Sequence, residues 1–108
     1  MVPIPIRLLC DDMTVEVPDQ DAAYGGHYKD PVTISNVRFE RAEQISKRDF
    51  ALADGATGRI FVDTVNSVGA FEVPIGSKVT IGGRRMAVIA CHRLVGFSGT
   101  HHWELDVQ

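Results

Sequence analysis

The 108-residue sequence has few of the features that mark membrane-bound, nucleic-acid-binding or helical proteins. No segment approaches the roughly 20 apolar residues of a membrane-spanning helix. The N-terminus shows no basic segment followed by a long apolar stretch, so we expect no membrane association. The net charge is -3 at pH 7, and no basic excess indicates binding to phosphates. Long blocks of Leu, Ala, Glu and Lys are also missing, which favours β-sheet.

Cysteine is scarce, with only Cys10 and Cys91 in the chain. A disulfide is possible on number alone, but a single pair without a signal peptide more often means reduced thiols, so we expect two reduced thiols in the core. A Cys–His nucleophile at Cys91 would need a lowered thiol pKa and an open cleft. Because Cys91 follows the apolar residues 88–90 in a predicted strand, we expect it to be buried and the protein not to be an enzyme.

The histidines suggest zinc, because Cys91-His92 and His101-His102 are two pairs of possible ligands. Structural zinc sites usually space the two ligands of a pair by two to four residues. Adjacent residues of a strand point to opposite faces, so each pair could supply only one ligand. We therefore expect no metal and no cofactor, with His102 on a polar face beside Glu104.

Period-two alternation of apolar residues predicts short half-buried strands. In the first of them, Met13, Val15 and Val17 share one face, and in the last, Leu105 and Val107 lie with Trp103 on the core face. Strands are expected at residues 13–17, 32–39, 59–65, 78–81, 84–93 and 101–107, with a further strand or tether at 6–9. The prediction is one all-β domain over residues 1–108, a small β-barrel or sandwich of six to seven mostly antiparallel strands with long loops.

The second strand contains a change of parity. Val32 and Ile34 share one parity, whereas Val37 and Phe39 share the other. A β-bulge at Ser35-Asn36 would direct all four apolar side chains to the core. We therefore predict a bulge at that point.

Gly82-Gly83 provides the two positive-φ positions that a tight hairpin requires. A phosphate-binding loop would be followed by a helix, but here a strand follows, so Arg84 and Arg85 are interpreted as rim contacts.

Residues 41–57 have too few apolar positions for a secure helix. They are interpreted as a short helix, as a flexible arm that orders on contact with a neighbour, or as an ordinary surface excursion.

Acidic residues cluster between positions 11 and 21, and basic residues between 38 and 48. The acidic stretch lacks the ordered spacing and central glycine of a calcium loop. It is either a solvated edge or one of two complementary surfaces of a head-to-tail ring. The interface candidates are Asp19, Asp21, Tyr24, Arg41, Lys47, Arg48, Arg84 and Arg85.

Residues 71–88 resemble the "GDKI-x-x-x-G-x-x-Y-x-V" hairpin of small head–tail joining proteins of tailed bacteriophages. The opening at 4–9 (IPIRLL), the central strand at 59–67 (RIFVDTVNS) and the ending at 101–107 (HHWELDV) are similar to the phage minor capsid protein family. Met86 stands where the family often has an aromatic residue, which preserves an apolar core position.

The resemblance implies a structural virion protein, a head-closure or stopper-like subunit at the portal vertex, made in the bacterial host cytoplasm. Its implied partners are further copies in a ring, the portal or adaptor protein, tail proteins, and packaged DNA that passes through the channel without specific binding. A tail terminator or other tail-side ring protein is an alternative of the same class. A small-ligand- or carbohydrate-binding module is an alternative of another class, for which Tyr24, Tyr28 and Phe97 are the loop aromatics.

Overall fold

Six antiparallel strands form a closed barrel in the computed structural model, which describes residues 9–19, 27–41, 55–96 and 99–108. The strands follow one another around the barrel in the order β1-β2-β3-β6-β5-β4. They are β1 (Asp11–Glu16), β2 (Val32–Arg41), β3 (Gly58–Asp63), β4 (Lys78–Ile81), β5 (Arg84–Gly96) and β6 (Gly99–Val107). The predicted all-β barrel is therefore confirmed. No helix in the described part of the chain could span a membrane.

The core fills the inside of the barrel with the alternating apolar residues of all six strands. It is built mainly from Val, Ile, Leu and Met, and the following side chains are buried in it: Met13, Val15, Ile34, Val37, Ile60, Val62, Val73, Val79, Met86, Val88, Leu105 and Val107. Val17 and Trp103 pack against this cluster and are half-buried. The predicted core faces of β1 and β6 are thus confirmed.

The bulge predicted in β2 is confirmed. Met13 pairs with Ile34 and Asp11 with Val37, so β2 carries one more residue than β1 over this stretch. Asn36 takes up the extra residue with a φ of 60°, a conformation that Asn tolerates better than most residues. Ile34 and Val37 are fully buried, as the parity argument requires.

One part of that prediction is wrong, because Val32 does not reach the core. Its side chain is 45% exposed. Val32 pairs with Val15 at the beginning of β2, where the strand emerges from the end of the barrel. The alternation gave the correct face, but nothing in the local pattern marks where the barrel ends.

The Asn36 bulge is anchored to the turn that follows β3. Its carbonyl accepts a hydrogen bond from Ser67 Oγ (2.5 Å), and its side-chain amide donates to the carbonyl of Asn66 (3.2 Å). Asp63 accepts from the backbone amides of Val65 (3.1 Å) and Asn66 (2.8 Å), which closes an Asx-type turn. This turn ends β3 at Asp63, two residues earlier than predicted.

The predicted lengths of β5 and β6 and the predicted burial of Cys10 also need correction. β5 and β6 are longer than expected, since they pair as far as Gly96 and Gly99. Both cysteines are free, but Cys10 is exposed rather than in the core, whereas Cys91 is half-buried against it. The predicted segment at 6–9 lies outside the described residues except for the buried Leu9. Residues 42–54 also lie outside them.

The tight β4–β5 hairpin is confirmed. Gly82 and Gly83 have φ values of 57° and 81°, which is the pattern of a type I′ turn. A side chain added at either glycine would meet no atom within 4 Å. Any cost of substitution there is therefore conformational rather than steric.

We expect Gly83→Val to destabilise the fold by about 1–3 kcal/mol, because a β-branched residue resists positive φ. Gly83→Asn is the matched control and should retain most of the stability, since Asn tolerates the left-handed region. Thermal unfolding of the two variants measures the difference. An unchanged melting temperature for Gly83→Val would show that the turn does not depend on this backbone conformation.

Candidate functional site

An arginine lies fully buried on the outer face of the barrel wall. Ile60 and Val62 point into the core, so Arg59 points outward from β3, yet it is 0% exposed. The register places it between two carboxylates, because Arg59 pairs with Glu40 of β2 and with Asp106 of β6. The sheet itself therefore surrounds this guanidinium with negative charge.

Arg59 binds Asp106 through two parallel hydrogen bonds. Nε donates to Oδ1 (2.6 Å) and Nη2 donates to Oδ2 (3.2 Å), while Nη1 donates to Glu104 Oε1 (3.2 Å). His92 Nε2 lies 3.1 Å from Asp106 Oδ2, and His102 Nε2 lies 3.0 Å from Glu104 Oε2. We call these five residues the ion cluster.

Burial and charge act in opposite directions on the groups of the ion cluster. Burial by itself would lower the pKa of Arg59, but hydrogen bonds and charge interactions with Asp106 and Glu104 outweigh it and raise that pKa. Burial would raise the pKa of Glu104, but the hydrogen bond with His102 and the charge of Arg59 lower it overall. Both groups are therefore held in their charged forms.

The adjacent His101 and His102 extend the cluster toward the end of the barrel. Their Nδ1 atoms are 2.6 Å apart, so one nitrogen must carry a proton and the other must accept it. The two rings cannot both be protonated at Nδ1. The predicted position of His102 beside Glu104 is confirmed, with Glu104 buried and His102 half-buried.

Glu104→Gln is expected to cost about 1–3 kcal/mol near neutral pH, because it removes a buried charge-assisted contact. Since folding lowers the pKa of Glu104 below its ordinary 4.5, this contribution is present above that value. It is lost as the pH falls through the folded-state pKa. Urea unfolding from pH 6 to pH 3 should show the wild-type advantage over Glu104→Gln shrinking toward the acid end. An advantage that grows with acid would contradict the assignment.

A second feature is an open cleft at the end of the barrel where β1 begins, β2 ends and β4 turns into β5. Its volume is about 410 Å³, and it is lined by Asp11, Phe39, Arg41, Ile81, Gly82, Arg84 and Met86. Its lining combines apolar side chains with two guanidinium groups and one carboxylate. Asp11 also accepts a hydrogen bond from the Phe39 amide (3.1 Å), which ties β1 to β2 at this mouth. We call it the end cleft.

The structure brings two of the interface candidates together, since Arg41 and Arg84 share the end cleft. Arg85 lies elsewhere and pairs with Glu16 (3.4 Å), with its guanidinium 5.7 Å from the centre of the Tyr28 ring. Asp19 is half-buried and donates its backbone amide to the carbonyl of His27 (2.9 Å). The remaining candidates lie outside the described residues: Asp21, Tyr24, Lys47 and Arg48.

The described residues show little of the chemistry expected of a catalytic site. Burial and then the charge of Glu72 raise the pKa of the Cys91 thiol to about 11, so Cys91 is protonated at neutral pH and a poor nucleophile. Among the described residues, no three His, Cys, Asp or Glu side chains converge to hold a metal ion. The two distinctive features of the described residues are the buried ion cluster on the outer wall and the end cleft, whose lining is both apolar and charged.

The ion cluster was not found by sequence reasoning, which placed residues 59–65 in one strand and considered the histidines only as members of two candidate zinc-ligand pairs. A signal was present in the alternation of Arg59 with Ile60 and of Glu104 and Asp106 with Leu105. Opposite charges at matching parity on two strands indicate a cross-strand pair. This charge pattern can be recognised as a pair only once β3 is known to pair with β6.

Comparison with known proteins identifies the family. The family model for minor capsid proteins matches residues 5–107, which include every strand of the barrel. No curated protein and no solved structure matches the chain. Because the family match spans almost all of the sequence, the chain belongs to the phage minor capsid protein family and is a structural protein of the virion.

Proposed function

We propose that this protein is a head–tail joining subunit of the head-closure type, which assembles as a ring at the portal vertex of a tailed phage or prophage. The family match over residues 5–107 carries this proposal. The resemblance of residues 71–88 to the hairpin of head–tail joining proteins supports the finer assignment. Portal or adaptor protein on one side and tail proteins on the other are the partners, and synthesis takes place in the host cytoplasm.

The barrel suits a component that must bear load without aggregating. Closing the sheet pairs the strands around the full circle, and closed sheets present no long free edge to neighbouring chains. The buried ion cluster links β3, β5 and β6 across the outer wall. Contacts between subunits are then left to particular surfaces such as the end cleft.

The charge of the chain also suits a channel for DNA. A lining rich in Lys and Arg would hold phosphates and release counterions, which strengthens binding. A subunit with a net charge of -3 allows packaged DNA to pass without being retained by specific binding. We therefore expect the purified protein to bind duplex DNA weakly or not at all at physiological salt.

Disruption of the gene in the phage or prophage that encodes the chain tests the proposal. We expect DNA-filled heads that lose their DNA and carry no tails, with recovery when the wild-type protein is supplied in trans. Complete heads beside free tails of irregular length would instead assign the tail-terminator role. Normal infectious virions would contradict both assignments.

A binding experiment tests the position directly. We expect the purified protein to bind isolated portal–adaptor complexes and not empty capsid shells that lack a portal. Binding to shells alone would place the protein on the capsid surface and overturn the head–tail assignment.

A further inference from the structure

We infer that the end cleft receives residues 30–33 of a second copy of this chain, in a head-to-tail contact between neighbouring subunits. This inference deepens the proposed ring and rests on it for its biological setting.

The end cleft has the composition of a binding site for an apolar side chain beside a carboxylate. Phe39, Ile81 and Met86 give the cleft its apolar lining, while Arg41, Arg84 and Asp11 line it with charge. Arg84 forms no ion pair with another described residue, so its guanidinium is available to a carboxylate from outside. An apolar anchor with charged groups around it is the usual anatomy of a protein–protein contact.

The opposite end of the barrel presents the complementary chemistry. Lys29, Asp30, Pro31, Val32 and Thr33 are five consecutive exposed residues where the chain enters β2, and Val32 is 45% exposed. Lys29 is adjacent to Asp30 and is therefore expected to project to the other side of an extended chain. The residue before a proline is restricted to extended conformations, so Asp30 and Val32 are expected to project to similar sides. An apolar side chain and one carboxylate therefore stand together.

The two features cannot meet within one molecule. Residues 30–33 lie at the start of β2, whereas Phe39 and Arg41 of the cleft lie at its end. A ten-residue strand spans about 30 Å at roughly 3.4 Å per residue. Complementary surfaces at opposite ends form a heterologous contact, which generates a ring when the rotation closes.

The other exposed large apolar residues among those described fit less well; they are Val65, Val68, Ile75 and Val95. Asp63, two residues before Val65, is fully buried and accepts hydrogen bonds from its own turn. The other three have no Asp or Glu within two residues in the sequence. Ile75 therefore lacks a neighbouring carboxylate like Asp30, and it provides a matched control.

Charge reversal across the contact is the test, measured by sedimentation velocity over a concentration series of the full chain without portal protein. Arg84→Glu and Asp30→Arg should each weaken self-association about tenfold or more. The double variant Arg84→Glu/Asp30→Arg should recover it, since every contact regains an opposite pair. An equimolar mixture of the two single variants should also recover self-association. When the two variants alternate, one contact keeps the native pair of Arg84 and Asp30. The other contact places the introduced glutamate opposite the introduced arginine.

Two controls make the result specific. Arg85→Glu reverses a neighbouring exposed arginine outside the cleft, and Ile75→Ser removes an exposed apolar residue that has no carboxylate beside it in the sequence; both should self-associate like the wild type. Val32→Ser should weaken association. The inference is overturned if the wild type does not self-associate, if the single reversals behave like the wild type, or if the double variant is not restored. Because portal protein is absent, the proposed vertex location can fail in its own assay while this contact holds.

Discussion

Arg59→Met is expected to destabilise the protein by about 3–5 kcal/mol, since it leaves buried carboxylates without their cation. Arg59 and Asp106 are both 0% exposed, and their two-bond contact is the centre of the ion cluster. Without the guanidinium, Asp106 and Glu104 would stand as like charges in a site that excludes water. Urea unfolding followed by the fluorescence of Trp103, the single tryptophan, measures the loss.

The matched control is Arg85→Met. The side chain of Arg85 is 53% exposed and its pair with Glu16 is 3.4 Å long, so its loss should cost about 1 kcal/mol or less. Arg59→Lys keeps the charge but cannot form the two-bond fork, and an intermediate loss is expected. Arg59→Met combined with Asp106→Leu and Glu104→Leu should recover much of the stability, because the uncompensated charges are gone. A loss at Arg59→Met no larger than that at Arg85→Met would show that the cluster does not stabilise the wall.

Gly58→Val should cost about 2–3 kcal/mol through overpacking. A Cβ at Gly58 would lie 2.7 Å from the carbonyl oxygen of Glu40 and 2.7 Å from two ring atoms of Phe39. The ring could move, but the backbone carbonyl is held in the β2–β3 ladder. Phe39 also lines the end cleft, so the substitution is expected to disturb that cleft as well.

Thr57→Val is the control for Gly58→Val. It places the same side chain one residue earlier, at an exposed position where the Thr57 hydroxyl donates one long hydrogen bond to the carbonyl of Val107 (3.4 Å). Its loss should change the free energy of unfolding by about 1 kcal/mol or less. Phe39→Leu in the Gly58→Val background should relieve only part of the loss, because the contact with the carbonyl remains. Equal stability of Gly58→Val and the wild type would mean that the two strands separate more easily than the packing indicates.

The local features of the fold could be predicted because their causes are local. The parity change between Ile34 and Val37 requires an extra residue, and Asn36 supplies the conformation that the bulge needs. Gly82-Gly83 likewise determines the hairpin turn. In both cases, two or three adjacent residues contain the whole physical reason, so no knowledge of distant contacts was required.

The sites could not be predicted to the same depth, because they depend on which strands become neighbours. Arg59 and Asp106 are 47 residues apart, and they meet only because β3 pairs with β6 in the closed barrel. Arg41 and Arg84 were chosen as interface candidates for their charge, but their common location arises where the end of β2 meets the β4–β5 turn. The exposure of Val32 follows from where the barrel ends, which alternation does not encode.

The two sites have separate roles in the proposed ring. The ion cluster links β3, β6 and β5 across the outer wall and stabilises the barrel. The end cleft lies at the mouth of the barrel, and its residues Phe39 and Arg41 flank Glu40, which pairs with Arg59. Adjacent residues of a strand point to opposite faces, so the cleft and the cluster lie on opposite sides of the sheet. Variants in one site are therefore expected to leave the other unaffected: Arg84→Glu should unfold like the wild type even where its self-association is weakened.

The most direct test of the central claim is to locate the protein in intact virions by cryo-electron microscopy. We expect density for this barrel at the single vertex that joins head and tail, arranged as one ring around the axis of the DNA channel. Density distributed over the capsid shell, or virions that contain none of the protein, would contradict it.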